Sequence, residues 1–291
     1  MQATTPLRFN TCLLCNSPML TDMPIYAKDK LTRCRNCGFV FARQIPTQQE
    51  LITEYAKYAR TRTLSVITAN RYKQLLNLFE PYRKLNRLID VGAGEGHFIE
   101  IAAQMQWITY ATEFDPRAVE LCRQKGAIVQ EGKLNADNYP AGFFDLIFSS
   151  EVMEHINNPI EEVQNFYQIL RPGGLVYVTT PNFNALSHLL LKNRWNVFNY
   201  PEHLCYYTPK TLTRLFTNCG FKLVKLQTTG ISPTRLAASG GKLPVLGSND
   251  EALRQATETK PLWQFAKFTA NALLNLTRKG DTIKAWFEKE R

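Results

Sequence analysis

Nowhere in this chain does a run of about twenty uncharged apolar residues occur, the length a helix needs to cross a bilayer. No basic segment leads into an apolar run and a small-residue cleavage site, so secretion is not expected and the protein reads as cytoplasmic. Internal repeats and low-complexity tracts are missing too, which excludes solenoid and disordered classes. Acid is nearly missing from one stretch: between Tyr55 and Ile89 stand Lys57, Arg60, Arg62, Arg71, Lys73, Arg83, Lys84 and Arg87 against Glu80 alone. The whole chain has 35 Lys and Arg against 25 Asp and Glu, a formal charge of +10. Such a basic stretch suits nucleic acid, a nucleotide-linked substrate or an anionic membrane surface, and equally a solvated helical face.

One further absence concerns a glycine. The run Leu88-Ile89-Asp90-Val91-Gly92-Ala93-Gly94-Glu95-Gly96-His97-Phe98 is a short apolar strand, a glycine loop and a helix start. A dinucleotide site needs G-x-G-x-x-G, whose third glycine lets the helix pack closely under a pyrophosphate. Counted from Gly92, that glycine would fall at His97. The pattern is instead Asp90-x-Gly92-x-Gly94-x-Gly96, with an acid ahead of the loop. An anion there repels a pyrophosphate and suits a ligand carrying an ammonium and a sulfonium. A second short strand, Ala111-Thr112-Glu113-Phe114-Asp115-Pro116, ends in an acid where a ribose diol would lie. Taken alone, the glycine loop reads equally as a tight strand-to-helix turn.

The seven cysteines divide into two sets. Cys12-x2-Cys15 and Cys34-x2-Cys37 form two knuckles at a spacing that suits a tetrahedral, structural Zn²⁺ with no position left for water. A module this short lacks a core of its own, so metal binding would supply much of its folding energy. Cys122, Cys205 and Cys219 sit singly in apolar patterns and read as buried thiols.

At 291 residues the chain exceeds one typical domain. Residues 1–45 form the cysteine module, ending in the strand Phe39-Val40-Phe41. Residues 46–81 form a helical linker, a cap over the active site, with helices near Gln48–Tyr58 and Leu64–Phe79 and a stop at Pro81. From residue 82 to 291, strands alternate with helices, the mark of a parallel sheet covered on both faces. Strands are expected at Leu88–Val91, Ile108–Glu113, Ala127–Gln130, Phe143–Ser149, Leu175–Thr180, Phe221–Thr228 and Thr282–Glu288. The turn Arg171-Pro172-Gly173-Gly174 separates a helix over 159–170 from the fifth strand. A helical insertion near 250–278 holds two helices. The second, Leu262–Thr277, carries an apolar stripe of Leu262, Phe265, Ala266, Ala270, Leu273 and Leu276. Packing of that stripe on its own domain or a partner subunit is favoured over peripheral docking on a membrane.

With these segments placed, the chain resembles the class I S-adenosylmethionine (SAM)-dependent methyltransferases, in the subgroup with an N-terminal zinc ribbon. The resemblance rests on the Asp90–Gly96 loop and on Phe144-Asp145-Leu146-Ile147 leading to Glu151-Val152-Met153-Glu154-His155. It rests also on Leu170-Arg171-Pro172-Gly173-Gly174 and on Pro201-Glu202-His203-Leu204 before Tyr207-Thr208. It covers roughly residues 10–230. It implies a Rossmann-like, doubly wound α/β fold whose seven strands lie in the order 3-2-1-4-5-7-6. It also implies that Asp90 sits near the methionine ammonium, that Gly92, Gly94 and Gly96 line the cofactor, and that Glu113 accepts from the ribose. Phe114 packs on adenine, and Leu134 and Ser149 complete the cofactor set. Many relatives read the adenine amine with an Asp after the third strand, where this chain has Gly132-Lys133-Leu134.

Two further absences narrow the methyl acceptor. Amine-directed relatives carry [ND]-P-P-[YF] after the fourth strand, where this chain has Ser149-Ser150-Glu151-Val152; cytosine-C5 enzymes need a Pro-Cys pair, and none occurs. What remains is Glu151, Glu154 and His155, with His203 after the fifth strand. Two carboxylates and two imidazoles suit a hard divalent cation such as Mg²⁺, and the pattern resembles a metal site of ubiquinone-pathway O-methyltransferases and small-RNA 2′-O-methyltransferases. On the rival reading His203 alone is the general base and His155 a satisfied helix-cap residue. The expected reaction is O-methylation of a small molecule or glycan-like precursor. RNA methylation on a ribbon-and-basic-helix platform and a non-catalytic SAM- or zinc-dependent interaction role are the alternatives.

Overall fold

The computed structural model describes residues 7–47, 49–51, 64–230 and 261–290, with side chains from residue 269 onward in the last stretch. The helix expected over 250–258, most of the one over 48–58, and Lys57, Arg60 and Arg62 of the basic stretch lie outside the described residues. The alternating strands and helices fold as seven strands: β4 (Arg87–Val91), β5 (Ile108–Glu113), β6 (Ile128–Glu131), β7 (Phe144–Ser150), β8 (Leu170–Pro181), β10 (Phe221–Thr229) and β11 (Thr282–Lys289). They form one sheet in the order β10-β11-β8-β7-β4-β5-β6. Numbered within the sheet, that is the expected 3-2-1-4-5-7-6 read from its other edge. The pairs β4–β5, β4–β7, β5–β6 and β7–β8 are parallel, and the central strands β4 and β7 are buried almost throughout, as expected of a sheet covered on both faces.

Local signals set the helices. α1 (Val66–Phe79) is capped by Ser65, whose Oγ accepts from the Thr68 N–H. α2 (His97–Gln104) follows the glycine loop. α3 (Pro116–Gln124) opens on Pro116 with Asp115 as its cap, a pairing that satisfies one orphan amide and fixes the first turn. α4 (Pro159–Ile169) leads into β8. The expected Pro-Gly turn there is part of the strand: β8 pairs from Leu170, and the register shifts between Phe144 and Leu146. Arg171 explains the irregularity. Its Nε donates to the buried Asp145 at 2.5 Å, and Asp145 also accepts from the Leu85 and Arg87 amides. The motif aspartate is therefore a structural anchor.

The chain divides into two compact units. One is drawn from Ile52–Thr179, Thr213–Lys225 and Ala285–Arg291. Its core is aromatic-rich, with Phe98 stacked on Phe148 and Tyr177 packed on Trp286. The other is drawn from Met1–Leu51, Thr180–Leu212 and Leu226–Lys284. It holds a second sheet, β1 (Leu20–Asp22), β2 (Leu31–Cys34), β3 (Val40–Ala42) and β9 (Cys205–Tyr206), in that order. β9 comes from far along the chain and pairs antiparallel with β3. Tyr26, Leu31, Val40 and Ala42 of the cysteine module share one core with Phe183, Trp195, Val197 and Tyr206. Between these last residues lies the short helix α5 (Leu186–Leu191). α6 (Pro209–Asn218) and α7 (Pro261–Thr277) complete the helices among the described residues.

Of the apolar stripe of α7, the side chains of Leu262, Phe265 and Ala266 lie outside the described ones. Leu273 and Leu276 are exposed, while Leu274 is buried. The side chains turned toward β10 are amides: Asn275 Oδ1 accepts from the Thr228 N–H and Asn271 Oδ1 from the Gly230 N–H. β10 is the edge strand of the large sheet, and an edge strand has unpaired backbone groups to satisfy. Hydrogen-bonding demand, rather than apolar burial, decided which face turned inward.

Candidate active site

Asp90 ends β4, and the chain turns immediately at Gly92, which has φ +72°. A Cβ there would lie 2.6 Å from Val152 Cγ2, so both the left-handed backbone and the close approach require glycine. The amides of Gly92 and Ala93 both donate to the Thr112 carbonyl on β5. One residue on, Glu113 locks the same loop from the end of β5. Its Oε2 accepts from the Gly94 N–H at 2.7 Å, and its Oε1 accepts from the amides of Phe114 and Asp115. His97, at the place of the dinucleotide glycine, contacts Glu95 at 3.1 Å.

Electrostatics at this edge favour a cationic guest. Asp90 is only 3% exposed. Burial first, and then the neighbouring charge of Glu113, push its carboxyl well above the ordinary carboxylate range. Two carboxylates, one desolvated, form a site that a bound positive charge relieves. Ser149 adds a buried hydroxyl with no hydrogen-bond partner among the described residues, an unmet demand that a polar ligand can answer. Leu134 is buried, whereas Phe114 is 67% exposed and approaches Gly132 closely enough that a Cβ there would touch its ring. The donor set, the negative charge and the open aromatic fit SAM.

Sequence reasoning missed Tyr72. Its ring packs edge-on against Phe98 and Phe148. Burial, and then the Asp90 charge, push its hydroxyl up to about 12, so it stands beside the acid as a neutral phenol. Nothing in the spacing of α1 marks it apart from its neighbours.

After β7 the structure separates the acids that the sequence grouped. Glu151 takes a left-handed backbone, φ +57°, uncommon for a residue with a side chain and frequent at functional sites. Its amide donates to the Thr179 carbonyl, and its Oε1 accepts from Thr179 Oγ1. Glu154 and His155 lie on the 3-10 turn Met153–His155, with a carboxylate oxygen and a ring nitrogen within 4.8 Å of each other. Glu154 is buried and His155 half-buried.

His203 belongs to the other unit, just before β9. Its Nδ1 donates to the Val197 carbonyl at 2.7 Å, which fixes the tautomer and makes Nε2 the lone-pair nitrogen. Two hydrogen bonds hold its backbone: the His203 amide donates to Asn199, and the His203 carbonyl accepts from the Tyr206 hydroxyl. In the same unit Cys12, Cys15, Cys34 and Cys37 gather, with every sulfur within 4.8 Å of the others. Cys12 to Cys37 and Cys15 to Cys34 both measure 3.6 Å. A disulfide would need about 2.05 Å, whereas a tetrahedral zinc with bonds of about 2.3 Å sets sulfurs about 3.8 Å apart. The four thiols fit a metal tetrahedron.

In the described part of the basic stretch, Arg83 and Arg87 are engaged within their own unit, while Arg71, Lys73 and Lys84 are exposed. Arg83 donates to Asn86 and to the carbonyls of Met105 and Gln106, and it stacks over Trp107. Arg87 lies over Phe143.

Comparison with known proteins shows the family. A family model described as a methyltransferase domain matches residues 58–226. The ubiquinone biosynthesis O-methyltransferase of Thiobacillus denitrificans is 30% identical over 111 residues, 36% of this chain and 48% of the relative. The mitochondrial ubiquinone biosynthesis O-methyltransferase of Rattus norvegicus is 30% identical over 118 residues, 36% of this chain and 33% of the relative. These matches span half or less of those relatives' own lengths. Among solved structures, a SAM-dependent methyltransferase from Archaeoglobus fulgidus superposes with a TM-score of 0.53 at 18% identity, covering 82% of this chain and 99% of that one. That likeness supports the fold.

Proposed function

The chain belongs to the methyltransferase-domain family, and on that premise we propose that it moves a methyl group from SAM to a hydroxyl of a small molecule or sugar-type precursor. One observation carries the cofactor half of this reading: buried Asp90 and half-buried Glu113 lie at the ends of adjacent parallel strands beside the glycine loop. Bound there, SAM supplies an electrophilic methyl on a sulfonium. Asp90 and Glu113 provide negative charge for its cationic centres and acceptors for its ribose. Phe114 offers a ring for the base, and Leu134 and Ser149 complete the lining. Gly92, Gly94 and Gly96 keep that edge free of side chains.

A hydroxyl acceptor must lose its proton as it attacks. His203, with Nδ1 committed to Val197, offers Nε2 as the base. Glu154 and His155, with ligand atoms within 4.8 Å of each other, favour a second reading in which they hold Mg²⁺ and orient the acceptor oxygen. The engagement of Arg83 and Arg87 within their own unit weighs against an RNA acceptor. The four ribbon cysteines we assign to a structural Zn²⁺, and their thiol state suits a reducing compartment.

Calorimetric titration with SAM tests the cofactor assignment. Asp90→Asn and Glu113→Gln should each weaken binding by about tenfold or more, the loss expected for charge-assisted contacts; an unchanged Kd for both would overturn it. Turnover of hydroxyl acceptors after chelation separates the two catalytic readings, since unchanged turnover removes the Mg²⁺ and leaves His203 as base.

A further inference from the structure

Two helices of the ribbon-bearing unit carry exposed leucines. On α5, Leu186, Leu189 and Leu190 are all exposed, Leu190 by 64%. On α7, Leu273 and Leu276 are exposed by 62% and 80%. The segments that border the two helices are hydrogen-bonded to each other. The Leu186 amide donates to the Lys279 carbonyl, and Lys279 Nζ donates to Asn184 Oδ1 at 2.7 Å. Isolated exposed leucines need no explanation, whereas clustered ones mark an interaction surface.

The charge around them identifies the occupant. Residues 182–201 and 261–280 contain Lys192, Arg194, Lys267, Arg278 and Lys279 and no Asp or Glu at all. Lys192, Arg194 and Arg278 are exposed. The Arg278 guanidinium donates to the Leu226 carbonyl and Lys279 to an amide oxygen, neutral acceptors that leave both charges uncompensated. Protruding leucines ringed by cations without acids match a bilayer with anionic headgroups, where side chains enter the interface and each nearby cation adds attraction. A second copy of the chain on the same face would bring two acid-free basic rims together. A nucleic acid would use the cations and leave the leucines unaccounted for, since bases stack on aromatic rings and not on leucine.

We propose that the α5–α7 face docks on an anionic lipid bilayer, with Leu189, Leu190, Leu273 and Leu276 entering the interface and Lys192, Arg194 and Arg278 meeting the headgroups. This does not rest on the methyl-transfer reading, because binding needs neither cofactor nor acceptor. It accounts for the outward turn of Leu273 and Leu276: the amide face serves the edge strand, and the leucines are left for a partner of another phase.

Co-sedimentation of the full chain with vesicles tests it, comparing pure phosphatidylcholine with vesicles about one-third phosphatidylserine. The wild-type chain should bind the anionic vesicles, release them at high salt and bind neutral vesicles weakly. The triple variant Leu190→Ser, Leu273→Ser and Leu276→Ser should lose about 100-fold in partitioning, as expected when apolar side chains no longer leave water, with an unchanged melting temperature. Should that variant misfold, Lys192→Gln with Arg194→Gln tests the charge arm alone and should weaken binding about tenfold. Absence of vesicle binding, or binding indifferent to both lipid charge and the leucines, would overturn the proposal. So would a wild-type dimer that the leucine changes convert to monomer, which assigns the face to a second copy, or RNA binding abolished by those changes.

Discussion

In the unit that carries Asp90 and Glu113, each side chain of the cofactor edge lies close in sequence to the strand that presents it. In the ribbon unit Tyr26 packs with Phe183 and Phe198, β3 pairs with β9, and Asn182 donates to the Gly280 carbonyl. At that edge the first unit uses local grammar, in which a strand end, a glycine and a helix start suffice to place a residue, although Trp286 reaches back to Tyr177 in its core. The ribbon unit is held by several contacts between stretches distant in sequence, and each such closure costs chain entropy that local contacts do not recover. It therefore depends on a few strong fasteners, and the difference between the units can be broken or sharpened by removing them.

The largest effect should come from the cysteines. Cys12→Ser should abolish zinc binding, measured as metal content, and cost on the order of 5 kcal/mol or more, because ligand binding and folding are one event at such sites. Limited proteolysis should then cut within residues 7–47 while SAM still binds the other unit. If the metal-free protein melts at the wild-type temperature, the shared apolar core alone closes this unit, and the comparison loses its point.

Next comes the apolar fastener itself. Trp195 is 1% exposed and packs on His188 and Phe198. Trp195→Ala should cost about 3–5 kcal/mol, the range for deleting a buried aromatic, read from chemical denaturation. A loss under about 1 kcal/mol would mean that the site collapses around the cavity and that the metal dominates.

The smallest effect belongs to the other unit and is a pH dependence. Glu162 on α4 is 7% exposed. Burial, and then the charge of Glu161, push its carboxyl from 4.5 up to about 7. A carboxyl whose folded value is raised holds its proton more tightly when folded. Its contribution to stability is therefore complete below pH 4.5 and is lost as pH rises through about 7. Glu162→Gln should remove that loss, a relative gain of about 2 kcal/mol at alkaline pH. Denaturation midpoints at about pH 5 and about pH 8 check it; parallel shifts in both proteins would show that Glu162 ionises without penalty.

Where the sequence was legible, a local rule carried the structure. The Asp90–Gly96 loop and the Asp115-Pro116 helix start needed only backbone stereochemistry and capping, whereas the strand order was implied by the family resemblance. Asp145 shows the limit of motif reading, since the same F-D-x-[IV] pattern that marks the fourth strand hides a buried anchor for Arg171. Tyr72 was illegible for another reason: its neighbour Asp90 belongs to a different element, and no spacing rule joins them.

The alternation of strands and helices, the anionic glycine edge and the two cysteine knuckles could be read from residues a few positions apart. Folding settled the rest: the knuckles share their core with residues 183–206, Glu151 turns to Thr179 while Glu154 and His155 stay together, and α7 presents Leu273 and Leu276 outward and its asparagines toward β10. Those outcomes depend on which backbone groups elsewhere were left without partners, a demand that exists only once the chain has folded.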